Sequence, residues 1–190
     1  MISLIAGLML AATEPAAPFP PGLEYKERRE TYPVRGATRR ELRSALRHAQ
    51  AGEGDEGGGS VARTAQDLGM RYELEPVPGG CRLKELVVSL DVTIHLPEWT
   101  HDGSPPKSIA EDWQRMRDAL ERHEEGHRDI AVNSARYLHE GLQALGVQES
   151  CQDLRREAQR VFFRAQLRHS VRDGAYERRT RHGIAQGAVL

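Results

Sequence analysis

The sequence predicts an α+β fold: a small, mainly antiparallel sheet packed on a long helix and a C-terminal helix. Three observations carry that expectation. Leu86, Val88, Leu90, Val92, Ile94 and Leu96 share one parity of a segment whose other parity holds Glu85, Ser89, Asp91, Thr93 and His95. This is the alternation of a strand with one face on a core. From Ile109, apolar residues recur at helical intervals through Trp113, Met116, Leu120, Ile130, Leu138, Leu142 and Leu145. Inside that stripe lies His123-Glu124-Glu125-Gly126-His127.

Composition sets the outer bounds. A chain of 190 residues, 38 % hydrophobic and 29 % charged, suits one globular domain with a real core. Its formal net charge of −1 exerts no overall pull toward nucleic acid or an anionic surface. Residues 2–12 form an apolar run too short to span a bilayer, with small residues near Ala12 and Ala17. No Lys or Arg precedes the run, yet the following prolines argue against a strand, and residues 1–17 read as a signal peptide ahead of a single domain over 18–190. The expected location is therefore the periplasm or outside the cell, with no transmembrane span in the mature chain. There, the pair Cys81 and Cys151 favours a disulfide between a strand and a late helix.

Along the chain, a strand is expected over 25–34, then a helix opened by the capping box Thr38-Arg39-Arg40-Glu41. Residues 51–60, rich in glycine and acids, read as a flexible connection. Met70, Tyr72 and Leu74 alternate with charged residues, a half-buried strand. The strand over 83–96 should end at Pro97. Pro105-Pro106 and a second box, Ser108-Ile109-Ala110-Glu111, open the long helix. Carried unbroken to Leu145 it would be roughly 55 Å long, so a bend or break is expected near Gly141. A last helix should run from near Ser150 to Asp173-Gly174, leaving 175–190 as a loop.

Histidines four apart on a helix lie one turn above each other, so His123 and His127 can place ring nitrogens on one zinc ion. Glu124 lies beside that ion, placed to act as the general base of a hydrolase. A catalytic zinc needs a third protein ligand and an open position. Asn133 stands where an extended motif would carry a third histidine, and His139 and Glu140 lie too far along the helix. The ligand should come from another segment, with His95, His101, His169 and His182 as candidates. Arg156, Arg160, Arg164, Arg168 and Arg172 recur every four residues and read best as a solvated face paired with acids, in preference to an anion-binding stripe. Trp99 and Trp113 read as core.

Four segments together resemble a bacterial family labelled domain of unknown function 922, described as predicted secreted zinc-dependent proteases. They are Tyr32-Pro33-Val34-Arg35-Gly36, the Cys81 strand leading to Leu96-Pro97-Glu98-Trp99, the His123–His127 helix, and Tyr176-Glu177-Arg178-Arg179-Thr180-Arg181-His182-Gly183. The resemblance implies a zincin-like fold in which α+β elements carry the metal site on the long helix, with His182 as third ligand and Tyr176 as an oxyanion donor. Glu177 departs from the Asp that often follows the tyrosine in the family. The function implied is hydrolysis of a peptide or protein substrate by a zinc metallopeptidase, with no role for nucleic acid. The rivals are a non-catalytic envelope binding module with a structural metal, and a zinc amidase acting on cell-wall crosslinks.

Overall fold

The computed structural model describes residues 19–52 and 61–190. The expected signal peptide and most of the glycine-rich connection lie outside the described residues. In chain order the elements are β1 (Leu23–Arg35), α1 (Arg39–Gly52), β2 (Arg63–Val77), β3 (Gly80–Thr100), α2 (Lys107–Gln143) and α3 (Cys151–Thr180), followed by a short 3-10 turn, Ile184–Gln186.

The fold is α+β, and its sheet is mixed. The strand order is β1-β3-β2, with β1 parallel to β3 and β2 antiparallel to it. The antiparallel pair is a tight hairpin in which Val77 faces Gly80 and Gly79, at φ 87°, makes the turn. β1 reaches β3 only after the chain has passed through α1 and β2. That crossover imposes the parallel pairing, which strand patterns alone do not reveal.

The predicted alternation in β3 holds: Val88, Leu90, Val92, Ile94 and Leu96 are all buried. They meet Trp113, Met116, Leu120, Ala131, Ala135 and Leu138 of α2 in one core. Pro97 does not end the strand. β2 stops pairing at Arg63 opposite His95, whereas β1 continues to Arg35 opposite Thr100. Beyond His95 one edge of β3 has no partner strand, and a residue without an N–H is tolerated there. Trp113 is buried, and Trp99 packs partly buried against the core, their ring centroids 5.8 Å apart.

Helix boundaries divide the expectations. At α1 the capping box forms, with Thr38 Oγ1 accepting from Glu41 N at 3.2 Å and Glu41 Oε2 accepting from Thr38 N at 3.3 Å. The second box does not form. α2 starts at Lys107 behind Pro106 with no side-chain cap, so Ser108 already lies within the helix. Nor does α2 break before Gln143; its 37 residues make a rod of roughly 55 Å, kept solvated at its start and covered by the sheet and α3 along the rest.

α3 starts where expected, Ser150 accepting from Asp153 N at 3.1 Å, but it continues through Gly174 to Thr180. A mid-helix glycine costs about 1 kcal/mol. Docking of Tyr176 and Thr180, both buried, offsets that cost, and the helix stops only when Arg181 turns left-handed at φ 52°.

Cys81 and Cys151 are disulfide-bonded, tying the start of β3 to the first residue of α3. Backbone hydrogen bonds of 2.8 and 2.9 Å between Cys81 and Gln148 reinforce the joint. Gly80 permits it, since a Cβ there would lie 1.8 Å from the Gln148 carbonyl oxygen. The bridge spans 70 residues of sequence, for which chain entropy assigns about 4 kcal/mol. Denaturant unfolding of a Cys81→Ser/Cys151→Ser variant should show a loss of that order; an unchanged midpoint would mean the bridge constrains little.

Candidate metal centre

His123 and His127 sit one turn apart on α2, on the side covered by α3 and the terminal turn. His123 is 4 % exposed and Glu124 2 %. The two Nε2 atoms are 3.3 Å apart. Glu177 of α3 brings Oε1 to 3.0 Å from His127 Nε2 and 3.6 Å from His123 Nε2. Three such atoms around a tetrahedral zinc at 2.0–2.1 Å would be spaced about 3.3 Å apart. Among the described residues, His123, His127 and Glu177 are the one group able to hold a metal ion in this way.

The far side of each ring decides which nitrogen is free. His127 Nδ1 lies 2.6 Å from Asp173 Oδ1, and a carboxylate can only accept, so Nδ1 carries the hydrogen. For His123 a chain of hydrogen bonds gives the same answer. Tyr176 donates its hydroxyl to the His123 carbonyl (3.1 Å) and accepts from Gln186 Nε2 (3.3 Å). Gln186 Oε1 therefore faces His123 Nδ1, at 2.9 Å, and accepts from it. With both rings neutral, the Nε2 atoms present lone pairs to each other and to a carboxylate oxygen. Three such acceptors repel unless a proton on His127 or a shared metal ion lies among them, and a metal ion satisfies all three at once.

The charges follow from these contacts. Burial pushes the His123 imidazolium down. Burial opposes charge on His127 too, but the hydrogen bond to Asp173 and its negative charge outweigh that and raise it. The same hydrogen bond holds the Asp173 carboxyl below the usual range. Glu124 is pushed up to about 6, mainly by burial, against the opposing hydrogen bond from Thr64; Thr64 Oγ1 lies 2.8 Å from Glu124 Oε2. Glu124, His127 and Glu177 border a cleft of about 350 Å³ whose other walls include Arg63, Thr64 and Gln66 of β2 and His169 of α3.

Several site residues fall in places that the sequence did not indicate. The position expected of His182 is filled by Glu177. His182 stands at the rim of the same cleft, its side chain 81 % exposed and its Nδ1 2.8 Å from Glu177 Oε2. The cause is the extra length of α3: Glu177 falls one turn past Asp173 on the face toward α2. The left-handed run Arg181, His182, Gly183 then brings Gly183, not His182, against the His123 ring, where a Cβ would lie 3.3 Å from Cγ. Tyr176 does not present its hydroxyl to the cleft; its ring stacks on His123 with centroids 5.2 Å apart. It passes so close over α2 that a Cβ on Gly126 would lie 2.1 Å from its oxygen, which explains the glycine within the motif. Of the other candidates, His169 borders the cleft, whereas His95 pairs with Glu30 at 3.4 Å and His101 contacts the Gly103 carbonyl. His139 is buried against the Pro21 carbonyl, away from the centre.

Glu124 generates a measurable pH effect. Its folded carboxyl titrates near 6 against an ordinary 4.5, so the folded, metal-free protein holds that proton more tightly than the unfolded chain. Stability therefore falls as pH rises from 4.5 toward 6 and stays about 2 kcal/mol lower above it. Glu124→Gln should recover roughly that amount in metal-free unfolding at pH 7.5 and little at pH 4. Equal effects at both pH values would contradict the buried-carboxylate assignment.

No curated protein and no solved structure matches the chain. A family described as "Bacterial protein of unknown function (DUF922)" matches residues 29–183, a span that includes His123, His127 and Glu177 as well as Glu124, Asp173 and Tyr176. The chain belongs to this DUF922 family of bacterial proteins.

Proposed function

We propose that the protein is a zinc-dependent hydrolase that cleaves peptide or related amide bonds, and that it works in the periplasm or outside the cell. The observation that carries the reading is the convergence of His123 Nε2, His127 Nε2 and Glu177 Oε1 at 3.0–3.6 Å spacing, with both Nδ1 atoms held by acceptors. Two imidazoles and one carboxylate suit zinc among the common divalent ions. Three protein ligands leave a tetrahedral position open, whereas a purely structural zinc takes four.

When bound, zinc supplies an acidified water and polarises a carbonyl. The chain's own residues do the rest. Asp173 and Gln186 fix the two ring orientations, and Tyr176 fixes Gln186. Glu124, one residue past His123 and bordering the same cleft, takes the water's proton and delivers it to the departing amine. Thr64 holds the carboxylate that does this, through Oε2. Tyr176 is a positioning residue in this scheme, since its hydroxyl is committed to backbone.

Calorimetric titration of metal-free protein should find about one zinc per chain. Glu177→Ala should weaken binding about 100-fold or more and Asp173→Asn about 10- to 100-fold, with His182→Ala much milder. A larger loss for His182→Ala than for Glu177→Ala would return the third-ligand role to His182. In a separate assay on unfolded protein and on muropeptides, Glu124→Gln should keep its zinc and lose about 10²- to 10⁴-fold in hydrolysis. Zinc-loaded wild type inert on both substrates would leave the binding-module reading in its place.

A further inference from the structure

The outer face of α3 is built unlike the rest of the surface. Phe163, Leu167 and Val171, each four residues after the last, are 69 %, 66 % and 61 % exposed. They form an apolar row about 12 Å long on the side of the helix turned away from the core. Arg160, Arg164, Arg168 and Arg172 make a second row beside it. Between residues 155 and 172 there are six arginines and a single acid, Glu157.

The pairing expected for these arginines is only partly present. Arg156 and Arg160 pair with Asp153 and Glu157 on the same helix, and Arg168 lies over the Tyr137 ring. Among the described residues Arg164 and Arg172 have no acidic partner. A chain of net charge −1 thus concentrates positive charge on one helix face, with exposed apolar side chains set among it.

We propose that this face docks the protein on an anionic phospholipid surface, with Phe163 and Leu167 entering the headgroup boundary and Arg164 and Arg172 meeting lipid phosphates. Basic residues beside a row of large apolar ones on a convex helix face form the pattern of interfacial binding. Long arginine stems keep their charge at the phosphates while lying along the apolar row. A second copy of this chain fits less well. Its own arginine row would face this one, and the three apolar side chains expose roughly 300 Å², well short of the ~800 Å² per partner of a stable dimer. No described helix is long and apolar enough to cross a membrane, so attachment would be peripheral. It does not depend on the metal reading, because the cleft residues of α3 lie on its other side.

The test is flotation of the full chain with vesicles of phosphatidylglycerol mixed with phosphatidylcholine, and with phosphatidylcholine alone. Binding to the anionic vesicles only, weakening as salt rises, is expected. Arg164→Gln/Arg172→Gln should reduce it about thirtyfold, and Phe163→Ser/Leu167→Ser about tenfold or more, with circular dichroism and zinc binding unchanged in both. Absence of flotation with anionic vesicles, or binding indifferent to both double variants, would overturn the proposal. So would concentration-dependent dimerisation in ultracentrifugation that Phe163→Ser/Leu167→Ser abolishes, since the face would then belong to a second copy.

Discussion

Two imidazole nitrogens and one carboxylate oxygen point at a common centre from two helices, and with both rings neutral no side-chain hydrogen among the described residues lies between them. Much of this half of the molecule serves to hold that arrangement. Asp173 and Gln186 take the outward hydrogens of the two rings, Tyr176 holds Gln186, and Gly126 gives Tyr176 room to pass over α2. Thr180 packs buried beneath the same tyrosine, its hydroxyl donating to the Tyr176 carbonyl at 2.9 Å. With the rings neutral, these acceptors face one another without a hydrogen between them, and a shared metal ion would satisfy all three at once, which is why the group is a candidate metal centre.

The framework behind it is a lever of two long helices fastened at one end. The disulfide and the Cys81–Gln148 backbone pair join α3 to β3 near its start. From there α3 runs for 30 residues back along α2, and Glu177, its member of the candidate centre, is near its far end. Small errors in helix direction would grow along that length. The packing of Leu154, Ala158, Val161 and Ala165, all buried, keeps the two rods in contact between the fastening and the site.

β2 contributes through Thr64, whose hydroxyl reaches both the carbonyl and the carboxylate of Glu124. The buried acid is thereby linked to the sheet as well as to its own helix. Such a carboxylate, raised toward neutrality by burial, is a poor stabiliser of the fold but a serviceable base near neutral pH. That contrast separates it from Asp173, which is held ionised by its histidine.

Local chemistry written in the sequence determined the strand alternation of β3, the capping box of α1, the Ser150 cap, the cysteine pairing and the position of His123, Glu124 and His127 on one helix. Each depends on residues close in sequence or on a single pairing choice. What the sequence did not disclose depended on distant partners. The parallel β1–β3 pairing follows from a crossover, and Pro97 stays in its strand because β2 happens to end beside it. α3 runs through Gly174 because Tyr176 and Thr180 gain burial against α2. Asp173 and Glu177 are four apart and would have marked a helical face, but only for a helix already known to pass the glycine. The third member of the candidate centre was therefore decided by tertiary packing: one additional turn of α3 placed Glu177 at the histidines and left His182 at the rim of the cleft, behind it.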